Sequence, residues 1–258
     1  MRNAYALLGT LFIIIIGGAW YAFSRPTSPA PINSQSMQNP VQIIPIEHAT
    51  AVLRWGDTTI YTDPTGGKEA FAGQPAADII VVTDIHGDHL STSTLEAVVG
   101  GATLVVPQAV KDQLPGELAS RARVLKNGET MTEKGFQILG VPMYNLPGSP
   151  NSNFHTKGRG NVYIIERDGF RVYIAGDTAG TPEMRALTNI DIALLPMNLP
   201  YTMSVEEAAE VTLAFNPKQV YPYHYRGQDG LADTNRFKTL VDAEDKNIEV
   251  VLLNWYAP

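Results

Sequence analysis

Hydrophobic and polar positions divide the chain into three stretches. From Ala4 to Phe23 it is apolar apart from Thr10 and the tyrosines, and carries no charge. About 20 residues at ~1.5 Å rise span a ~30 Å hydrocarbon core. Trp20 and Tyr21 stand at the end of the run, where aromatic rings favour the membrane interface. The run is longer than a signal-peptide core and no A-x-A site follows, which predicts a retained anchor over residues 1–23 rather than a cleaved signal peptide. Arg2 precedes it and Arg25 follows, a weak bias toward a cytoplasmic N terminus. In a bacterium the rest of the chain is then expected on the periplasmic side of the inner membrane. Residues 24–40 hold Pro26, Pro29, Pro31 and Pro40 among Ser, Asn and Gln and read as an extended linker. The short apolar runs of a globular domain begin near Val41 and continue to residue 258.

Within that domain two stretches follow one plan. Ala51 to Asp63 reads strand, Gly-Asp turn, strand, aspartate, and Asn161 to Asp177 reads strand, Asp-Gly turn, strand, Gly-Asp. Each leads to a continuous apolar run, from Ile79 to Val82 and from Ile192 to Leu195, expected to be a buried strand. A polar loop follows, then a helix opened by an S-x-x-E box, Ser93 to Glu96 and Ser204 to Glu207. Another strand then ends at a proline, Pro107 or Pro222. The repetition predicts an internal duplication of a β-β-β-α-β unit. It would place the loops at Asp84 to His89 and Asn198 to Thr202 at equivalent strand ends, with Asp63, Asp177 and His224 also just past strands.

Composition narrows the chemistry. At 258 residues, 44% hydrophobic and 17% charged, the chain is globular and long enough for one substantial core or two small ones. Nineteen basic residues against 26 acidic ones give a net charge of -7, which disfavours nonspecific nucleic-acid binding. Without cysteine there is neither disulfide nor thiolate ligand, so a metal must be held by His, Asp or Glu, and there are five histidines.

The richest stretch is Val81-Val-Thr-Asp-Ile-His-Gly-Asp-His-Leu90, where a buried strand opens into a loop carrying Asp84, His86, Asp88 and His89. Such donors suit a borderline-hard divalent ion, and Gly87 is expected to let the loop turn tightly. The alternative is a polar surface turn. Asp177, in Ala-Gly-Asp-Thr, could equally cap a turn, and His224, after Tyr221-Pro-Tyr, could be a packed aromatic neighbour.

The pattern Asp84-x-His86-x-Asp88-His89 resembles the His-x-His-x-Asp-His signature of the metallo-beta-lactamase superfamily, with Asp84 where that family usually has histidine. His155 lies in Asn151-Ser-Asn-Phe-His-Thr-Lys-Gly-Arg-Gly-Asn161, which, with Met143-Tyr-Asn145 and Leu195 to Met203, is similar to the branch of ascorbate-phosphate lactonase-like proteins. The similarity runs from about His48 to Tyr225. It implies an α/β fold, a four-layer αββα sandwich of two similar halves, behind the predicted transmembrane helix. It implies a first metal on Asp84, His86 and His155, and a second on Asp88, His89 and His224, with Asp177 bridging. Asp63 would be a supporting carboxylate, and His48, Asn145, Asn198 and Tyr201 would line the substrate pocket, with structural packing the alternative for His48.

Two ions ~3.5–4 Å apart can share a water and lower its pKa, giving a hydroxide nucleophile. Asp88 would orient that water and return a proton to the leaving group. Zinc is the expected metal, with manganese or iron favoured by a hard Asp84 ligand. The resulting expectation is a membrane-tethered dinuclear hydrolase of an ester, lactone or phosphodiester, with a small-molecule or lipid-like substrate. One alternative is a phospholipase D-like phosphodiesterase, suggested by His48-Ala-Thr, which is similar to the N-acylphosphatidylethanolamine phospholipase D branch. Another is a non-catalytic metal-binding envelope protein. Oligomeric state is not readable from the sequence.

Overall fold

The computed structural model describes residues 39–256. The predicted anchor and nearly all of the predicted linker lie outside the described residues. Among the described residues no helix is long and apolar enough to cross a membrane.

The strands in chain order are β1 (Val41–Glu47), β2 (Thr50–Trp55), β3 (Thr58–Thr62), β4 (Ile79–Val81), β5 (Thr103–Val106), β6 (Arg123–Val124), β7 (Thr130–Glu133), β8 (Phe136–Met143), β9 (Gly160–Arg167), β10 (Phe170–Ile174), β11 (Ile192–Pro196), β12 (Gln219–Tyr223), β13 (Arg226–Gly227), β14 (Gly230–Leu231) and β15 (Glu249–Val250). The helices are α1 (Thr92–Val98), α2 (Gln108–Lys111), α3 (Gly116–Arg121), α4 (Pro182–Arg185), α5 (Val205–Phe215) and α6 (Thr234–Glu244). One mixed sheet runs β1 to β6 in order, and a second runs β15-β12-β11-β10-β9-β8-β7. β13 and β14 form a separate small hairpin.

The predicted duplication is visible in the pairing. In the first sheet β1, β2 and β3 pair antiparallel, and β3 to β6 follow in parallel. In the second, β8, β9 and β10 pair antiparallel, and β11, β12 and β15 follow in parallel, with β7 added at the edge. The two predicted hairpins both form. At the second turn Asp168 and Gly169 both have positive φ, 54° and 79°, as a type I′ turn requires.

The apolar runs are continuous because the central strands are covered on both faces. Ile79 and Val81 of β4 join the large core between the sheets, while Ile80 and Val82 join a second core with Leu95 of α1, Val110 of α2 and Leu118 of α3. α5 and α6 add Phe215 and Phe237 to the large core, and Phe215 packs near Tyr173 of β10. Two sheets therefore meet face to face with helices outside them.

One predicted cap is misplaced. α1 is capped by Ser91, whose side chain accepts from the Thr94 N–H, because Ser91 is the last extended residue and Ser93 already lies within the first turn. α5 is capped at Ser204 as expected, its side chain accepting from the Glu207 N–H. The Glu207 carboxylate, however, accepts from the Gly180 N–H at 3.0 Å, tying α5 to the loop after Asp177.

Candidate metal centre

Parallel strands bring their carboxyl ends to one edge, and the polar loops of both sheets open there. Asp63 follows β3, residues 84–89 follow β4, Asp177 follows β10, Asn198 follows β11 and His224 follows β12. The sheets are stitched beneath this edge, where the Thr83 carbonyl accepts from the Asn161 N–H at 2.9 Å. His48, Asp63 and His224 each have φ near 45°, a left-handed conformation unusual for residues other than glycine. Such backbone is held only where surrounding structure over-determines it. Gly176 also has positive φ, and a Cβ there would lie 2.7 Å from Met143 Sδ and 2.8 Å from Thr83 Cβ. Gly87 does not have the role expected of it: it is not left-handed and a Cβ would meet nothing within 4 Å. The turn is closed instead by the His89 and Leu90 N–H groups, both donating to the His86 carbonyl at 2.9 and 2.8 Å.

Asp177 lies at the centre of the site. Its Oδ2 is 3.1 Å from His155 Nε2 and 3.3 Å from His89 Nε2, and its Oδ1 is 3.3 Å from His224 Nε2. Asp88 Oδ2 is 3.2 Å from His224 Nε2. Asp88, His89, Asp177 and His224 present donor atoms within 4.8 Å of one another, and so do Asp84, His86 and His155. All seven predicted ligand residues are thus gathered in two adjacent groups, with Asp177 touching both.

These distances suit ion pairs, yet the angles do not make hydrogen bonds. His89 Nε2, His155 Nε2 and Asp177 Oδ1 are buried without a hydrogen-bond partner. Buried polar atoms are ordinarily partnered, so donors crowded together without partners fit divalent ions. The donor set of imidazole and carboxylate suits zinc, and also manganese or iron.

Supporting contacts orient the imidazoles. Asp63 is fully buried, accepting from the Thr83 N–H at 2.6 Å and the Thr83 hydroxyl at 2.7 Å, and lying 2.9 Å from His89 Nδ1. A proton on Nδ1 directs the Nε2 lone pair at the site. Burial alone would lower the His89 pKa, but the Asp177 and Asp63 carboxylates raise it well above the ordinary imidazole value. Burial likewise would raise Asp177, and His224 and His89 outweigh it and hold that carboxyl well below its usual range. Asp63 itself is raised, because burial outweighs its contact with His89.

A cavity of about 220 Å³ lies over the two groups, lined by His86, Asp88, Phe154, His155, Asp177, Asn198 and Tyr201. Asn198 and Tyr201 are among these lining residues. Asn145 and His48 are not among the lining residues. The Asn145 amide is buried and donates to the carbonyls of Asn151 and Tyr201 at 2.9 and 2.7 Å, holding together two loops of the rim. The His48 carbonyl accepts from the His224 N–H at 3.2 Å, and its ring meets those of His224 and Tyr256 edge-on.

Two residues at the site escaped the sequence reading. Phe154 is an exposed aromatic that packs edge-on against Tyr201. Arg159 donates through Nε and Nη2 to the two oxygens of Asp84, at 3.0 and 2.8 Å. The available signal for Arg159 was Lys157-Gly-Arg-Gly160, a cation placed just after the His155 loop and opposite an aspartate at a usual histidine position.

The family model of the beta-lactamase superfamily domain matches residues 42–224. The chain belongs to the metallo-beta-lactamase superfamily. Within it, the chain is a member of a family of metal-dependent hydrolases. It is 32% identical over 207 residues to the UPF0173 metal-dependent hydrolase of Thermococcus onnurineus, covering 77% of this chain and 90% of that protein. A crystal structure of a protein from Parabacteroides distasonis, described as a metal-dependent hydrolase, is 36% identical with a TM-score of 0.72, covering 82% of this chain and 92% of that one. Igni18, a metallo hydrolase of Ignicoccus hospitalis, shares the fold at 23% identity with a TM-score of 0.69, covering 83% and 95%.

Proposed function

We propose that this member of the superfamily is a dinuclear hydrolase of an ester, lactone or phosphodiester bond. The observation that carries the reading is the set of buried, unpartnered donor atoms around Asp177. His89, His224 and Asp88 would hold one ion and His86 and His155 the other, with Asp84 beside them and Asp177 between the two. Bound ions supply Lewis acidity and a water activated near neutral pH.

Asp88 is the group placed to move a proton. Its side chain is 40% exposed toward the cavity, and His224 lies 3.2 Å behind it. Burial would raise its pKa, but the contacts with His224 and His89 hold it far below the ordinary carboxylate range. It is therefore ionised at neutral pH, able to orient the attacking water as a hydrogen-bond acceptor and to return a proton to the leaving oxygen. The cavity is large enough for the reacting group of a substrate, and Phe154 and Tyr201 offer apolar surface for the part that extends beyond it. That rim suits a small-molecule or lipid-like substrate.

We further propose that residues 1–23 tether the protein to the inner membrane with the hydrolase domain outside the cytoplasm. Protease added to spheroplasts should digest the domain. Digestion only after inner-membrane lysis would refute that orientation.

The test of function is a screen of the metal-loaded protein against lactones, carboxylesters and phosphodiesters, beside Asp88→Asn. Turnover of one class, falling at least ~100-fold in the variant, is the expected result. Stoichiometric metal with no turnover of any class would favour a binding protein instead.

A further inference from the structure

We infer that Asp84 is not offered to an ion but forms a buried ion pair with Arg159, which acts as a positioning residue for the histidines of the first metal site. The inference rests on the two-ion reading above. Asp84 is fully buried, and Arg159 grips it with a two-pronged fork, Nε on Oδ1 at 3.0 Å and Nη2 on Oδ2 at 2.8 Å. His86 Nδ1 lies 2.9 Å from the same Oδ2. Both oxygens of Asp84 thus accept from the guanidinium, while His155 Nε2 stays 4.0 Å from Oδ2. His89 Nε2, His155 Nε2 and Asp177 Oδ1 have the opposite character, because they are buried and without partners. Groups that await an ion and a group already satisfied therefore stand side by side.

The pair also explains how an aspartate can occupy this position. A carboxylate cancelled by a guanidinium adds no net charge, which is the contribution of a neutral histidine. Its contact with His86 has a consequence: a carboxylate oxygen 2.9 Å from Nδ1 favours the proton on that nitrogen, which leaves Nε2 as the lone pair for an ion. Arg159 Nη2 also donates to the Phe154 carbonyl at 2.7 Å, next to His155. One guanidinium thus fastens the His155 loop and, through Asp84, sets the His86 tautomer. Lysine has no planar fork and could not make these contacts together.

The test uses the full-length protein, stripped of metal and reloaded with zinc or manganese alone. Ions per chain and the affinity of each ion are measured by chelator competition for wild type, Arg159→Gln and the double variant Asp84→Asn/Arg159→Gln. Arg159→Gln should weaken one ion about 10- to 100-fold and leave the other unchanged. The double variant, with neither charge, should still bind two ions. A double variant that binds one ion, or an Arg159→Gln protein with both affinities at wild-type level, would overturn the inference. Should Arg159→Gln fail to fold, Arg159→Lys is read by the same criteria. A wild type that binds fewer than two ions would sink the two-ion reading alone. The inference is then decided by the ring-nitrogen NMR shifts of His86 in metal-free protein. They should report an Nδ1–H tautomer in wild type and its loss in Arg159→Lys, and an unchanged tautomer refutes it.

Discussion

Replacing Asp63 by asparagine isolates what the carboxylate behind His89 does. Asparagine keeps the shape and removes the charge. Its oxygen can still accept from the Thr83 N–H, the 2.6 Å contact of Oδ1. The amide nitrogen then takes the place of Oδ2, which lies 2.7 Å from the Thr83 hydroxyl and 2.9 Å from His89 Nδ1. The hydroxyl can rotate and accept. His89 has no such freedom, because in the tautomer that binds a metal Nδ1 already carries a proton. Two hydrogens would face each other, and the imidazole relieves this by moving its proton to Nε2, the atom 3.3 Å from Asp177 Oδ2. The variant therefore blocks the nitrogen that an ion needs.

Loss of such a supporting contact costs about 10- to 100-fold in metal affinity, or about 1.4–2.7 kcal/mol. Only the ion held by His89 should be affected. Stepwise chelator competition at pH 7 measures the two affinities separately. Thermal melts of metal-free protein provide the control, where the lost contact is worth about 1–3 kcal/mol as a hydrogen bond to a charged group. If Asp63→Asn binds both ions with wild-type affinity, Asp63 does not set the His89 tautomer and the reasoning fails.

Other perturbations test separate links. Asp177→Ala should weaken both ions at once, since its oxygens face His155, His89 and His224; loss of one ion with the other unchanged in a titration would refute bridging. The raised His89 pKa stabilises the metal-free protein fully below about pH 6.5, the ordinary imidazole value, and that stability is lost as pH rises through the folded-state value. The lowered Asp177 pKa works oppositely, its contribution present above about pH 4 and lost as pH falls through the folded-state value. Urea melts across pH should show both limbs, and metal affinity should rise with pH as His89 gives up its proton. Gly176→Ala should cost about 1–3 kcal/mol by overpacking, with a further cost for its φ of 59°; a change under about 0.5 kcal/mol in denaturant melts would show that the sheets can yield there.

What could be read from the sequence was local. The hairpins announce themselves through two adjacent turn residues, β4 and β11 through unbroken apolar runs, and α5 through a cap one residue before its start. The loop after β4 packs four potential ligands into six residues, so its chemistry shows without any fold. His155, Asp177 and His224 are individually ambiguous, and the resemblance supplied their grouping. The short edge strands β6, β7 and β15 carry weak patterns, since strands at a sheet edge bury little. The Ser91 cap was missed because Ser91 and Ser93 offer the same hydroxyl and only backbone conformation separates them. Asn145 looked like a pocket residue, but its two amide hydrogens are spent on carbonyls 6 and 56 residues away.

Asp84 is the sharpest instance, for its partner Arg159 lies 75 residues away in the other half of the chain. Spacing alone cannot tell a carboxylate that binds an ion from one that binds a guanidinium, because both need a buried anion at a strand end. The distinction lies in whether its lone pairs are already occupied, and only the folded chain determines that. An aspartate where the superfamily signature usually has histidine therefore poses a question of charge. A cation in the loop before β9 answers it here, and the same search applies to any site in which a neutral ligand position is held by an acid.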